Sequence, residues 1–412
     1  MKVGMFVDTF YPMVDGVIKV VDNYSRRLAK KCEVVVFCPD IKGYDKSEDK
    51  KFPYEVVRCS SLPLPGVDYS LPLPLADPSF NLPLIKSGLD MVHIHSPFAV
   101  GMAGALYAKI HQIPAVGTLH SQYRQDFERT FKLEPTVKMA MNTLMMTFNA
   151  CDECWTVNDA IRNLYLNEYG LSVPCNIIPN ATDHVPVADP EAAAGRVNSR
   201  YGLAADDNVL LFVGRINFIK NLDFLVRSLR LIKDRGVQFK MLFVGQGQDE
   251  DKLRALVKEL QIENNVVMAG LVSSREELQD IYSRAKMFLF PSLYDTNSLV
   301  QIEAACQGTP TVFLKGARTA ATVTDGVNGL LVEPTEEAYA DAIAGLLADR
   351  QRYDRIAAAA REQLYINWDT VVDRVYDKYQ ELIEVKKKNV EAKKLTNVLK
   401  QAFRPDEDKP AE

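Results

Sequence analysis

Short runs of apolar, β-branched residues alternate with helix-length stretches along nearly the whole chain. The first half holds "KVGMFV", "EVVVFC", "MVHIH", "PAVGTL" and "CWTV"; the second holds "VLLFVG", "KMLFVG", "NVVMAG", "KMFLF" and "TPTVFL". These runs lack regular polar alternation, so each strand must be covered on both faces, which points to parallel sheets flanked by helices. Two successive sets predict two doubly wound α/β domains. Strand signals stop over residues 180–208, where Pro, Asp, Asn and Ala accumulate. The pattern therefore predicts an N-terminal domain at 1–180, a linker at 181–205 and a C-terminal domain at 206–352. Residues 353–385 read as helices that return toward the N-terminal domain, and 386–412 as a basic amphipathic helix with an acidic tail. The proline-rich segment 61–84 predicts a long loop. Its leucines either line an apolar groove or cover the sheet edge.

A chain of 412 residues exceeds the usual size of one core. Its 47% hydrophobic and 25% charged content is that of a globular protein. A net charge of -5 argues against a nucleic-acid partner, since phosphate binding needs a basic face. Seven cysteines, mostly in apolar runs, fit reduced thiols in a cytoplasmic protein. Cys151 and Cys154 have CxxC spacing without a second pair, so buried thiols are the preferred reading over zinc or redox chemistry. The N-terminus lacks the pattern of a secretion signal, and no apolar stretch is long enough to span a membrane.

In open α/β sheets, ligands bind beyond the carboxyl ends of the strands, so two facing domains would share a cleft there. Gly16, in the loop after the first strand, would let a backbone amide approach a phosphate. His95 and His120 end later strands, and His120 is the better candidate because it closes a fully apolar run. The alternative is a histidine bonded to nearby backbone. Arg215 and Lys220 follow "VLLFVG" and suit a diphosphate, although a solvated pair reads equally well. Asp249 and Asp251 form a D-x-D that can hold a metal-bound diphosphate, but acidic residues are favoured at a helix N-terminus without any ligand. No metal is assigned.

The stretch "YDTNSLVQIEAACQGTP" (294–310) predicts a helix capped by Thr296, Asn297 or Ser298 and entered through Leu299. Its free amides would accept an anion such as a pyrophosphate. On one helix, Asp295 and Glu303 would stand ~12 Å apart along the axis. That separation excludes a carboxylate pair acting on one glycosidic bond. It fits a ligand lying lengthwise, with hydroxyl-rich groups at both ends.

Taken in order, "DGV", "HIHSP", "GTLHSQY", "IIPNATD", "GRINFIKN", "VGQGQ", "FPS", "DTNSLVQIEAACQGTP" and "DGVNGLLVE" resemble the family 4 retaining glycosyltransferases with the GT-B fold. The resemblance spans about residues 1–385 and is most like the diacylglycerol glucosyltransferase-like branch. It implies that Arg215 and Lys220 bind the diphosphate of a UDP-sugar donor and that Gly16 approaches its phosphates. It likewise implies that Asp295 contacts the donor sugar, Glu303 the ribose, and His120 the sugar near the reacting centre. Thr296, Asn297, Ser298 and Leu299 would complete the donor site, with no cofactor or metal required. The family is usually assigned a front-face route, in which the departing phosphate takes the acceptor's proton. There are three departures from the family pattern: Asp295 stands for the usual Glu, Ser298 for a common Gly, and "NATD" for "NGVD".

Residues 386–404 hold seven Lys and Arg against one Glu, with apolar residues at helical spacing. Such a helix can lie on an anionic membrane surface, which would place a cytoplasmic protein peripherally at the inner face of the cell membrane. Packing on the protein, or a disordered tail, is the alternative. The Met-rich run 137–148 offers the same choice between lipid and core. The functional expectation is transfer of a hexose, glucose first, from a UDP-sugar to a lipid such as diacylglycerol with retention of configuration. Alternatives are a soluble or polyprenol-linked glycan acceptor, a non-catalytic nucleotide-sugar-binding protein, and an epimerase of the same architecture.

Overall fold

The computed structural model describes residues 1–13, 15–63, 70–131, 133–295 and 299–402, with backbone alone for 397–402. The chain divides into two compact units. Residues 1–156, 164–178 and 372–412 form one; residues 157–163 and 179–371 form the other.

In the first unit the strands are β1 (Lys2–Phe6), β2 (Glu33–Pro39), β3 (Glu55–Cys59), the short β4 (Ser61–Pro63) and β5 (Ser70–Pro72), β6 (Met91–Ile94), β7 (Ala115–Leu119), β8 (Glu153–Thr156) and β9 (Cys175–Ile177). Among the described residues, seven of these form a sheet in the order β3-β2-β1-β6-β7-β8-β9, while β4 and β5 pair separately. Every pairing in the seven-stranded sheet is parallel. The second unit holds β10 (Val209–Val213), β11 (Lys240–Val244), β12 (Val266–Gly270), β13 (Met287–Phe290), β14 (Thr311–Leu314) and β15 (Leu330–Val332). They lie in the order β12-β11-β10-β13-β14-β15, again all parallel.

The apolar patterning explains both sheets. Strand β10 is buried at every position, and the helix Leu222–Asp234 buries Leu222, Leu225, Val226, Leu229 and Ile232, one face at 3.6-residue spacing. Each such aliphatic side chain contributes roughly 1.5–3 kcal/mol on burial. Strand order reverses between β1 and β6 in the first sheet and between β10 and β13 in the second. Those reversals are the topological switch points, where the loops leaving neighbouring strands diverge and open a crevice.

Residues 61–84 are not one long loop. They contain β4, β5, a 3-10 turn at Pro74–Ala76 and the start of the helix Pro78–Lys86, with residues 64–69 outside the description. Proline permits this because Pro78 sits in the first turn, whose N–H would lack a partner anyway, and the Asp77 side chain caps the helix at Ser79 N, 2.9 Å away. Of its leucines, Leu84 is buried, whereas Leu62, Leu71, Leu75 and Leu82 are exposed. The Met-rich helix Glu134–Asn149 is divided likewise: Val137, Met141, Leu144, Met145 and Phe148 face the core, and Met139 and Met146 face solvent.

The last helix runs from Trp368 to Ala402. Tyr379 is buried and stacks on Trp155, with ring centroids 5.6 Å apart. Lys31 pairs with Asp373 and Lys386 with Asp152, each at 2.5 Å. Beyond Lys386 the described side chains are exposed, apart from a half-buried Val390; Phe403 and Arg404 lie outside the described residues. Among the described residues, no helix is long and apolar enough to cross a membrane.

Candidate functional site

Each unit gathers candidate residues at its switch point. In the first, Gly16 opens the helix Gly16–Leu28 beyond β1, His95 follows β6 and His120 follows β7. Asp15 caps that helix by accepting from Ile18 N at 2.8 Å. A Cβ added at Gly16 would meet no atom within 4 Å, so an approaching anion finds open space at the helix N-terminus.

The histidines form a buried chain. His93 Nδ1 lies 2.5 Å from Tyr379 Oη and its Nε2 lies 2.6 Å from Thr118 Oγ1. His95 Nδ1 lies 3.0 Å from His120 Nε2. The rings of His93 and His95 are 3.9 Å apart. Burial holds the pKa of His93 and His95 well below the ordinary histidine value and lowers His120 to about 4. The His120 residue as a whole is half-buried. All three are therefore neutral imidazoles near neutral pH.

Asp8 lies two residues beyond β1, and its role was not legible in the sequence. Its carboxylate accepts from Val100 N at 2.7 Å, Phe98 N at 3.2 Å and Gly101 N at 3.4 Å, tying the β1 loop to the start of the helix Ala99–His111. Burial raises its pKa to about 7, against the lowering effect of those three donors.

In the second unit, Arg215 is exposed at the end of β10 and has no hydrogen bond or ion pair among the described residues. Lys220 closes the 3-10 turn Phe218–Lys220, which the Asn217 side chain caps at Ile219 N, 2.9 Å away. Lys220 Nζ donates to Asp295 Oδ1. The Ser292 hydroxyl donates to Asp295 Oδ2 at 2.6 Å and itself accepts from Tyr294 N at 3.3 Å. Lys220 also stands 5.8 Å from the centre of the Tyr294 ring.

Asp295 is not on the helix with Glu303, contrary to the sequence expectation. It lies in the loop after β13, and the helix is described over Leu299–Cys306. The ~12 Å axial separation calculated for one continuous helix therefore does not describe this pair. Thr296, Asn297 and Ser298, expected to cap the helix, lie outside the described residues. Glu303 is buried on the helix and accepts from Tyr282 Oη at 2.9 Å.

Two loops meet backbone to backbone beside these residues. A Cβ on Gly245 would fall 2.0 Å from Gly214 O, and one on Gly247 would fall 2.0 Å from Ile216 O. The glycines thus serve the close approach of the two loops. Asp249 binds the same loops together, accepting from Phe218 N at 3.0 Å and Lys252 Nζ at 2.8 Å. Its carboxylate already has a structural task.

The family model described as Glycosyltransferase Family 4 matches residues 14–185, and the one described as Glycosyl transferases group 1 matches residues 197–363. Between them they cover every strand of both sheets except β1. The chain belongs to glycosyltransferase family 4. This glycosyltransferase is 22% identical over 318 residues to the alpha-monoglucosyldiacylglycerol synthase of Streptococcus pneumoniae, covering 76% of this chain and 70% of that one. It is 25% identical over 355 residues to the enzyme of the same name from Acholeplasma laidlawii, covering 82% and 86%. Anabaena Alr3699/HepE, solved in complex with UDP and glucose, aligns with a TM-score of 0.73 at 17% identity over 92% of this chain and 99% of that one. The glycosyltransferase accordingly has the GT-B fold, built from two Rossmann-like units.

Sequence reasoning placed His95, His120, Arg215 and Lys220 beyond strand ends but missed the partners Ser292 and Tyr282 and the contact between His95 and His120. Ser292 carried a signal, since "FPS" directly follows a strand. Tyr282 carried none, being one polar atom on the buried face of a helix.

Proposed function

We propose that this glycosyltransferase moves a hexose, glucose first, from a UDP-sugar to a lipid acceptor such as diacylglycerol with retention of configuration. The observation that carries the donor half is the placement of Arg215, Lys220 and Asp295 beyond β10 and β13, at the switch point of the second sheet. Arg215 and Lys220 bind the diphosphate and stabilise the charge that develops as it leaves, the largest catalytic contribution available here. Asp295, already oriented by Lys220 and Ser292, accepts from hydroxyls of the donor sugar. Glu303 accepts from the ribose with the oxygen that Tyr282 leaves unused. Gly16 N faces a phosphate, and His120 contacts a sugar oxygen. No carboxylate is assigned as nucleophile; the departing phosphate oxygen takes the acceptor's proton.

The acceptor half is supported by the two glucolipid synthases among the relatives and by an apolar surface of the first unit. Phe98, Met102, Leu106 and Ile110 recur every four residues and are 40%, 45%, 47% and 65% exposed. The helix that carries the last three packs against the turn holding exposed Leu75 and against the helix holding exposed Met139 and Met146. That helix has no acidic residue and ends in Lys109 and His111, a combination suited to an anionic lipid surface. The basic stretch after Lys386 is a second candidate for the same contact. With cations meeting the diphosphate, no metal is required. The test is a UDP-release screen of nucleotide sugars with and without diacylglycerol vesicles, repeated in EDTA: UDP-glucose with vesicles should give the fastest release, undiminished by EDTA. Binding of UDP-glucose without UDP release would favour a non-catalytic binding protein.

A further inference from the structure

Glu303 is a buried carboxylate without a counter-ion. On the helix Leu299–Cys306 it makes no ion pair and a single hydrogen bond among the described residues, accepted by Oε2 from Tyr282 Oη at 2.9 Å. Its other oxygen, Oε1, has no partner among those residues. A glutamate has three rotatable side-chain bonds, and one fixed donor is enough to select among their rotamers. The orientation of this carboxylate therefore depends on Tyr282.

The phenol is itself held from several sides. Tyr282 lies on the helix Arg275–Arg284 and is fully buried. Its ring meets those of His184 and Phe288 close to edge-on, with centroids 5.9 and 6.0 Å apart. Its backbone carbonyl accepts from Thr309 Oγ1 at 2.7 Å, so Tyr282 is tied at both ends to the segment that carries Glu303. Burial and the neighbouring carboxylate push the phenol pKa well above its ordinary value, and the hydroxyl keeps its proton near neutral pH. A carboxylate only accepts, so the direction of the bond is fixed.

A neutral donor has a consequence that a cation would not. Asp295 shares its charge with Lys220, whereas Glu303 is oriented by a group that leaves its charge unneutralised. Hydroxyls that donate to such a carboxylate make charge-assisted bonds, roughly twice as strong as neutral ones. We infer that Tyr282 is a positioning residue for nucleotide recognition: its phenol holds Oε2 of Glu303 and leaves Oε1 to accept from the ribose hydroxyls. This rests on the ribose-contacting role proposed for Glu303. Tyr282 does not touch the nucleotide, so its contribution passes through Glu303 and vanishes when either the carboxylate or the ribose hydroxyls are removed.

Calorimetric titration of the full chain with UDP and with 2′,3′-dideoxy-UDP tests this. Tyr282→Phe removes one buried hydroxyl and little volume; it should weaken UDP about tenfold and the dideoxy nucleotide by less than about twofold. Glu303→Met removes the acceptor at similar volume and should weaken UDP about 30-fold or more. Adding Tyr282→Phe to Glu303→Met should then change UDP binding by less than about twofold. Equal losses for the two nucleotides in Tyr282→Phe, or a further loss of about tenfold on the Glu303→Met background, overturn the inference, because damage to packing would act in both settings. Glu303→Asp keeps the charge but is one methylene too short to hold phenol and ribose together. It should weaken UDP about tenfold, and an unchanged affinity overturns the inference even if Tyr282→Phe does not fold. Wild type that binds the two nucleotides equally would sink the ribose reading itself, whereas a wild-type preference for UDP that Tyr282→Phe leaves intact would sink the inference alone.

Discussion

Lys220 and Asp295 are bonded to each other across the ends of neighbouring strands, with Lys220 leaving β10 and Asp295 leaving β13. In the donor site proposed above, one cation would therefore serve two ends of a donor, meeting phosphate charge and orienting the carboxylate assigned to the sugar. Lys220→Ala should lower kcat/KM for UDP-glucose by about 100-fold or more. Ser292→Ala, which removes only the second tether of Asp295, should cost about tenfold. Equal effects would mean that Lys220 acts through Asp295 alone. Initial rates of UDP release measure both.

The loops that carry Arg215 and Lys220 depend on glycine at one contact and on open space at another. Gly245 has φ +132° and no room for a Cβ. Gly245→Ala should destabilise the protein by more than about 2 kcal/mol in urea melts. Gly16→Ala meets no atom, so stability should hold within about 0.5 kcal/mol, while KM for the UDP-sugar rises. A Gly16→Ala variant with unchanged KM would remove Gly16 from the phosphate site.

Acid should weaken the first unit before it affects the chemistry. His93, His95 and His120 all titrate below the ordinary value in the folded chain, so the unfolded chain binds their protons first as pH falls below 6.5. Their stabilising contribution is complete above that pH and is lost progressively toward pH 4. Asp8 works oppositely: its pKa is raised to about 7, so its contribution is lost as pH rises toward that value. Three groups outweigh one, giving a net loss of at most roughly 2–3 kcal/mol per pH unit between about 6 and 4. Urea midpoints at pH 7 and pH 5 check the sign; a flat or rising midpoint toward pH 5 would contradict it.

The apolar stripe and the basic end give separable predictions for vesicle binding. Replacing Met102 and Leu106 together by Glu should reduce co-sedimentation with anionic vesicles about tenfold or more, by placing charge where apolar contact is expected. Circular dichroism should remain unchanged, because both side chains are exposed. Deleting residues 386–412 tests the basic stretch alone. If that deletion abolishes binding while the double substitution leaves it intact, the stripe is not the lipid contact.

Much of the fold was legible because apolar runs report burial on both faces: all ten runs quoted from the sequence are strands. The missed strands explain themselves. β3 contains Arg58, whose guanidinium is buried only because Asp49 pairs with it at 2.7 and 2.9 Å, a compensation made nine residues away. β9 and β15 have three residues each, too few to show a period. At the candidate site, strand ends located Gly16, His120, Arg215 and Lys220, since sequence order fixes where strands stop. The partners could not be found that way. Tyr282 reaches Glu303 across 21 residues, and Tyr379 reaches His93 across 286. The placement of Asp295 failed because helical spacing was extended back to it, whereas Asp295 lies in the loop that follows β13.

The central claim is transfer of glucose from UDP-glucose to a lipid hydroxyl with retained configuration. Incubating the purified chain with UDP-glucose and diacylglycerol in anionic vesicles, then determining the anomeric coupling of the isolated product by proton NMR, tests it in one measurement. The account predicts a glucosyl-diacylglycerol with the small coupling of an α-anomer. A β-linked product, or free glucose with no glycolipid, would contradict it.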